Sequence, residues 1–293
     1  MLAQQLVNAL SLGCVYALFA LGFTLVFGVL GIINLSHGAV FMVGAYAALE
    51  AVTALDLPLA AALVLAFVAS GVLGLLIDLL VLAPLRRRNA PHLIPMIATI
   101  GCAIALNSAA QGLFGADNLR FPDGLVPSDA LSLGDITVTP VEIGIVVASF
   151  VIMALMLIVL RRSQVGRALR AIAESPKAAA LLGINVEGLF RATSFIAAGL
   201  GGAAGVMIGL YSNAVYPLMG QPMLHKGIAV IILGGMGDIR GALIGGLFLG
   251  FAEVFAVAYV GSTMRDAVAF GLLFLILLVR PQGLFGKVAE RKA

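Results

Sequence analysis

The sequence has few charged residues, and this scarcity excludes a typical soluble protein. Asp, Glu, Lys and Arg make up 11% of the 293 residues, whereas hydrophobic residues make up 62%. A soluble globular protein has roughly 25% charged residues. Tryptophan is absent, and the two cysteines, Cys14 and Cys102, both lie inside apolar runs. Two buried free thiols are therefore expected, rather than a disulfide or a metal site.

The sequence also lacks a nucleotide-binding motif. The glycine cluster at residues 234–241 has the sequence GGMGDIRG, which matches neither the dinucleotide pattern nor the P-loop. The histidines have no Cys or carboxylate at ligand spacing, and no Ser-His-Asp order or paired carboxylates indicate hydrolysis. We therefore expect no enzyme activity, no catalytic residues, no metal and no cofactor on this chain, and any ATP must be bound by another subunit.

What the sequence does contain is a series of long apolar runs. A helix needs about 20 mostly apolar residues to span the hydrocarbon core of a membrane. The runs comprise residues 6–30, 38–55, 58–82, 93–114, 141–160, 192–211, 241–260 and 267–279. They predict an all-α, polytopic helical membrane protein with about eight spans, in a single domain that comprises residues 1–293.

Basic residues fall into three clusters, each bordering an apolar run. They comprise residues 86–88, the basic residues between 161 and 191, and those between 280 and 292. The loop from 115 to 141 is acidic instead, with four Asp against Arg120 alone. The positive-inside rule therefore predicts a cytoplasmic C-terminus, an outer acidic loop and an outer N-terminus. Clusters that border spans indicate contact with membrane lipid rather than nucleic acid.

This orientation requires one more crossing between residues 212 and 240, because the sixth run ends outside and the seventh must begin inside. Only residues 227–234 are apolar enough, and they are too few for a full span. We predict a broken or re-entrant segment there. A second interruption lies at residues 31–38, where Asn34, Ser36 and His37 separate two apolar runs. Discontinuous helices indicate a translocation path, and ordinary tight turns at the cytoplasmic surface are the alternative.

Glu253 lies deeper in its apolar run than the other ionisable residues. Such groups are energetically costly inside a membrane and are usually functional. We find no intramembrane basic partner for it in the sequence, which favours a hydrogen-bonded or protonated packing role over a proton relay.

The segment 161–190 is the most specific feature of the sequence. Residues 166–174 suit a short helix, Ser175 fits an N-cap, Pro176 the first position of a second helix, and Gly183 its C-terminal stop. Residues 178–182 give this second helix an exposed apolar side that the groove of a partner would receive. An interfacial helix lying on the bilayer is the alternative.

Four stretches are similar to the LivH-type permease subunits of branched-chain amino-acid ABC importers. They are RAIAESPKAAALLGI (170–184), GIINLSHG (31–38), LGGMGDIRGALIG (233–245) and VRPQGLFG (279–286). The first also resembles the coupling loop of ABC-importer permeases in general. The resemblance covers essentially the whole chain, and its motifs are more specific for the family than for the substrate.

The resemblance implies an inner-membrane permease subunit, in a bacterial cell, that forms a path for branched-chain or related neutral amino acids. It also implies a LivM-like second permease, two cytoplasmic ATP-binding subunits that hydrolyse ATP, and a periplasmic substrate-binding protein. The implied coupling residues are Arg170, Ala171, Glu174, Ser175, Pro176, Ala179, Leu182 and Gly183. The candidate path residues are Asn34, Ser36, His37, Gly38, Gly234 and Gly235.

Two alternatives remain at this point. A urea or short-amide importer of the same family would have similar motifs. An ion-coupled secondary transporter belongs to a different class and would need intramembrane ion ligands, of which only Glu253 is a candidate.

Overall fold

The structure, a computed structural model, describes residues 2–91, 93–122, 124–125, 131–133 and 136–286. The predicted acidic loop lies partly outside these residues, since Asp123, Asp129 and Asp135 are not among them. The same holds for the last basic residues, Lys287, Arg291 and Lys292.

Helices dominate the described residues. They are α1 (Leu2–Leu30), α2 (His37–Thr53), α3 (Leu59–Ile77), α4 (Ala83–Arg87), α5 (Leu93–Phe114), α6 (Pro140–Arg162), α7 (Gln164–Glu174), α8 (Pro176–Leu181), α9 (Val186–Ser212), α10 (Gly220–Gly234), α11 (Ile239–Tyr259) and α12 (Arg265–Val279). A π-helical turn, Asp78–Leu82, joins α3 to α4, and a 3-10 turn, Ser262–Met264, precedes α12. Two short antiparallel strands, β1 (Leu131–Leu133) and β2 (Ile136–Val138), precede α6.

The predicted all-α, polytopic class is confirmed. In the described part of the chain, seven helices are long and apolar enough to cross a membrane. The apolar helix α2 is shorter, with 17 residues, and α10 has 15 residues. The predicted number of about eight spans plus one short segment is therefore close to what is observed.

Local sequence signals set several helix ends. Thr139 and Glu142 form a capping box at the start of α6, each side chain bonding the backbone of the other. Asp238 caps α11 by accepting hydrogen bonds from the N–H groups of Arg240 and Gly241. Gly31 adopts a φ of +68° directly after α1, which is the left-handed conformation that stops many helices.

The long helix α1 is the centre of the molecule. It is buried almost continuously from Ala9 to Val26, packed against α6, α9, α10 and α11. Glycines allow the closest approach: Gly246 and Gly250 of α11 face the backbone of Ala17 and Gly13 in α1, with no room for a Cβ at either glycine. Small residues on facing helices permit this backbone contact inside a membrane.

The interruption at residues 31–38 lies in the protein interior. The imidazole of His37 packs against Phe19 and Phe23 of α1, with ring centroids 4.7 and 5.5 Å away. Phe23 precedes the end of α1 at Leu30 by seven residues, so the extended segment runs back along α1 by roughly 10 Å. His37 also lies beside Gly201, deep within α9. This placement excludes a surface turn, and α2 begins inside the helix bundle.

The second predicted interruption differs from expectation. Residues 227–234 are helical without a break and form the second half of α10, which begins at Gly220. Its 15 residues rise about 22 Å, less than the roughly 30 Å hydrocarbon core. The chain then turns at Gly235, which has a φ of +100°. The predicted broken segment is therefore a short continuous helix, which the sequence pattern obscured because Lys226 lies in its middle.

Candidate functional site

Two regions have the polar and exposed side chains expected of a functional site, and they lie near opposite ends of α1. The helix pair α7–α8 packs near Val29 and Leu30, whereas a polar cavity borders Leu12 and Tyr16. The helical rise from Leu12 to Leu30 is about 27 Å. The two regions are thus separated by most of the thickness of a membrane.

The helices α7 and α8 form the two capped segments that the sequence predicts. The Ser175 hydroxyl accepts a hydrogen bond from the N–H of Ala178, at 3.3 Å, and Pro176 occupies the first helical position. Gly183 follows the second helix with a φ of +82°. The first helix begins slightly earlier than predicted, because Ser163 caps it by accepting from the N–H of Gly166.

One face of this helix pair is anchored to the membrane helices. Ile172 of α7 and Ala179 of α8 are buried together against Phe190 of α9, with Val29 and Leu30 of α1 beside them. The Arg170 guanidinium donates a hydrogen bond to the carbonyl of Leu160 at the end of α6. A movement of the pair would therefore be transmitted to α1, α6 and α9.

The opposite face is exposed and apolar at its tip. The side chains of Leu181 and Leu182 are 89% and 80% exposed, and Glu174 is exposed nearby. The predicted apolar side at residues 178–182 needs one correction. Ala179 is 2% exposed because it faces Ile172 rather than the outside.

The predicted coupling residues therefore separate into two groups. Glu174, Pro176 and Leu182 are exposed and available to a partner. The others shape or anchor the pair: Ser175 as cap, Gly183 as stop, Arg170 through its bond to α6, and Ala171 and Ala179 through packing.

Arg86 connects the third membrane helix to this region, which the sequence analysis missed. Its guanidinium donates to both carboxylate oxygens of buried Asp78, at 2.6 and 3.2 Å. It also lies 3.5 Å from the carboxylate of Glu187 and 4.7 Å above the ring of Phe190. The only signal in the sequence was an Asp within an apolar run eight residues before an Arg cluster.

The candidate path residues at 34–38 form a buried turn. The side-chain carbonyl of Asn34 accepts hydrogen bonds from the Ser36 N–H, at 3.1 Å, and from the Ser36 hydroxyl, at 2.6 Å. The N–H of Leu35 donates to the Thr99 hydroxyl of α5, at 3.1 Å. These bonds satisfy non-helical backbone that lies among membrane helices. Gly38 contacts Gly220, so the first turns of α2 and α10 meet.

The other two candidate path residues lie elsewhere. Gly234, at the end of α10, packs against Gly241 of α11. Gly235, in the turn between these helices, packs against Gly286, which follows α12 in the chain. The N–H groups of Leu284 and Phe285 donate to the last carbonyls of α10. Gly220 and Gly234 are the two ends of α10, about 21 Å apart, so the structure does not bring the two predicted groups together.

A cavity of about 390 Å³ opens at the other end of the molecule. It lies between the start of α1, the end of α9, the first half of α10 and the end of α11, with Arg265 of α12 at its side. Its polar lining comprises Gln5, Asn8, Tyr16, Tyr211, Ser212, Tyr216, Lys226 and Arg265. The remaining wall is mostly apolar.

Glu253 lies behind this cavity and is fully buried. Lys226 Nζ donates to its Oε1 at 2.7 Å, and Tyr16 Oη donates to its Oε2 at 2.8 Å. Lys226 also donates to Tyr16 Oη at 3.0 Å, and Arg265 Nε lies 3.2 Å from Oε1. The inference that this carboxylate has no basic partner in the membrane is therefore wrong. Lys226 directly precedes the apolar piece 227–234, and this position was the overlooked signal.

Comparison with known proteins gives matches over nearly the whole chain. The family described as "Branched-chain amino acid transport system / permease component" matches residues 5–277. The chain is 37% identical over 301 residues to the high-affinity branched-chain amino acid transport system permease protein BraD of Pseudomonas aeruginosa. It is 35% identical over 300 residues to the corresponding protein LivH of Escherichia coli K12. Each alignment covers 99% of this chain and 97% of the relative.

A more distant relative is the probable branched-chain amino acid transport permease protein LivH of Methanocaldococcus jannaschii. It is 29% identical over 292 residues, with 92% of this chain and 88% of the relative covered. No solved structure matches the chain.

Proposed function

Since the chain belongs to the branched-chain amino acid transport system permease family, we propose that it is the permease subunit of an ABC importer for branched-chain amino acids. The observation that supports this function best is the capped pair α7–α8, anchored on one face and apolar on the other. Two adjacent exposed leucines at the tip of a rigid loop indicate a surface that a partner covers.

In this proposal, a cytoplasmic ATP-binding subunit receives Leu181 and Leu182 in a groove, with Glu174 and Pro176 at its edge. Two such subunits would approach each other on binding ATP. The rigid pair would pass this movement to α9 through Ile172, Ala179 and Phe190. Arg86 would extend it to α3, because its guanidinium bridges Asp78 and Glu187. Packed helices move as bodies in such transitions.

The proposed topology has α7–α8 in the cytoplasm and the N-terminus outside. It is supported by the basic residues Arg86–Arg88, Arg161 and Arg162, which lie at the ends of α4 and α6 next to the coupling helices. The positive-inside rule favours this orientation. A periplasmic binding protein would then deliver substrate at the cavity end, and a LivM-like permease would complete the path.

For the path itself, we propose that the break around Asn34, Ser36, His37 and Gly38 places the first turn of α2 inside the helix bundle, where substrate passes it. Support comes from its depth and from the meeting of two helix N-termini there. Gly234 and Gly235 would act as the hinge between α10 and α11.

The ion-coupled alternative receives little support from Glu253. A coupling carboxylate must be free to bind and release an ion, whereas both oxygens of Glu253 are occupied by Lys226, Arg265 and Tyr16. A fully paired carboxylate suits a structural role.

The test of the proposed function is purification of the tagged chain from native membranes in mild detergent, followed by mass spectrometry. We expect a P-loop ATPase and a second permease to co-purify. After reconstitution with the binding protein, leucine uptake should require ATP. Recovery of the chain alone, together with leucine transport in liposomes without ATP, would overturn the proposal.

A further inference from the structure

We propose that the cavity lined by Tyr16, Lys226 and Arg265 is a transient site for the amino-acid substrate, in which the two cations hold its carboxylate. This inference rests on the proposed function and specifies where, and by which group, the substrate is first held. The cavity lies at the end of α1 opposite the coupling helices, where substrate would enter.

The cations have hydrogen-bonding capacity to spare. Lys226 has three N–H donors and uses two of them, on Glu253 and Tyr16. Arg265 directs its Nε toward Glu253, and its two terminal nitrogens have no hydrogen-bond partner among the residues that the structure describes. The Arg265 side chain is 50% exposed, and both residues line the cavity. A carboxylate placed between them would receive charge-assisted hydrogen bonds from both sides.

One of the two counter-charges near these cations is only weakly held. Glu253 is fully buried and does not line the cavity, and its single charge offsets one of the two cations. The second carboxylate near Lys226 is Asp266, whose Oδ1 lies 3.8 Å from Lys226 Nζ, beyond hydrogen-bonding distance. Asp266 is 66% exposed, so solvent weakens its attraction. A substrate carboxylate can therefore displace Asp266 from Lys226.

The start of α10 adds to this preference. Met219 and Met223 line the cavity, and no side chain among the described residues caps the first turn of α10. The partial positive charge of a helix N-terminus favours a nearby anion. Anionic substrate groups meet helix N-termini in this way at the breaks of transporter helices.

The rest of the cavity suits the aliphatic side chain and the ammonium group of a branched-chain amino acid. Leu12, Phe41, Met223 and Val254 provide an apolar wall for the aliphatic side chain. The rim provides oxygen acceptors for an ammonium group on Gln5, Asn8, Tyr211 and Ser212. A volume of about 390 Å³ lies at the low end of the roughly 300–1,000 Å³ range of small-molecule pockets, which suits one amino acid.

The test uses a cysteine reporter at Ala258, which lines the cavity and is exposed. Ala258→Cys is made in a Cys102→Ala background, because Cys14 is fully buried and the second native thiol is only partly so. The permease complex, without its binding protein, is placed in nanodiscs. The rate of alkylation by a charged thiol reagent is then measured with leucine, with 4-methylpentanoate or with 3-methylbutylamine.

We expect leucine and 4-methylpentanoate, which have a carboxylate, to slow alkylation severalfold, whereas 3-methylbutylamine leaves the rate unchanged. Arg265→Gln should raise the leucine concentration needed for protection about tenfold, the effect of losing one charged hydrogen bond. Arg120→Gln, a matched change on an exposed arginine outside the cavity, should leave it unchanged. Asp266→Asn should lower the leucine concentration needed, because it removes the competing carboxylate.

The proposal is overturned if leucine gives no protection, if all three compounds protect equally, or if the two arginine variants respond alike. Arg265→Lys keeps the charge and should retain part of the protection, which separates loss of binding from loss of folding. If the ATP-binding subunit co-purifies and uptake is normal while leucine gives no protection, only the cavity assignment fails. If no ATP-binding subunit is found, the proposed function itself fails.

Discussion

The ammonium of Lys226 lies 2.7 Å from Oε1 of Glu253, although the two residues are 27 positions apart and belong to different helices. This bond joins α10 to α11 inside the helix bundle. Tyr16 of α1 bonds to both residues, so three helices meet at one buried charged cluster. Removing one member of such a pair leaves an uncompensated buried charge.

Lys226→Met should therefore destabilise the protein, by about 3 kcal/mol, the low end of the range for a broken buried pair, because the half-exposed Arg265 remains beside Glu253. The double variant Lys226→Met/Glu253→Gln should be more stable than the single variant, because it leaves no unpaired charge. The measurement is the midpoint of thermal unfolding in detergent, monitored by fluorescence-detected size-exclusion chromatography of a tagged chain. Equal midpoints for the single and double variants would contradict the assignment of a buried ion pair.

Leu182→Asp should prevent capture of the ATP-binding subunit while membrane insertion remains intact. The side chain is 80% exposed, so the change leaves the fold alone but places a charge in the proposed apolar contact. The expected loss is at least 2 kcal/mol of binding, or roughly thirtyfold in affinity. Gln164→Asp, at an exposed position in the first turn of α7, is the control and should bind normally. Normal capture by both variants would remove the coupling assignment.

Ser175→Ala should destabilise α8 by about 1 kcal/mol, because the N–H of Ala178 loses its hydrogen-bond acceptor. Hydrogen exchange of the α8 amides should accelerate, and leucine-stimulated ATPase activity of the complex should fall. Ser175→Asp also caps helices well, so it should restore both values. If the Asp variant fails as the Ala variant does, the hydroxyl has another role.

Asn34→Leu should abolish uptake, since the side chain closes the buried turn by accepting two hydrogen bonds from Ser36. Asn34→Asp retains the acceptor oxygen and should keep more activity than the Leu variant. Uptake of labelled leucine, normalised to the amount of chain in the membrane, provides the comparison. Similar activity in both variants would show that the turn does not depend on this acceptor.

Gly235→Val should block transport, because a side chain is strained at a φ of +100° and would meet the backbone of Gly286. Strain of this kind is about 1–3 kcal/mol before the contact is counted. Gly101→Val, on α5 where a Cβ meets no atom within 4 Å, is the matched control. An active Gly235→Val variant would remove the proposed hinge between α10 and α11.

The features that the sequence predicted well depend on local chemistry. Ser175, Pro176 and Gly183 set the bounds of α7 and α8 through capping and backbone conformation, which act within a few residues. The membrane helices follow from apolar runs of sufficient length.

The features that it missed depend on distant neighbours. A lysine is usually found at the protein surface, and nothing close to Lys226 in the sequence indicates otherwise. Only the packing of α10 on α11 and α1 reveals its partners Glu253 and Tyr16. Ala179 has the same side chain as Ala178 and Ala180, and only the position of Phe190 decides which alanine is buried. The depth of His37 likewise depends on α1 and α9, which no local pattern describes.

The buried turn before α2 also constrains how the protein is made. His37 contacts Gly201 of α9, and Gly38 contacts Gly220 of α10. These two glycines are synthesised more than 160 residues after the turn that they cover. Until those glycines are synthesised, only α1 and α5 are available to cover the turn, through Phe19, Phe23 and Thr99. We therefore expect the first two helices to reach their final packing only after α9 and α10 have been synthesised. A chain truncated before α10 would lack the contact of Gly220 with Gly38 that completes the packing of α2.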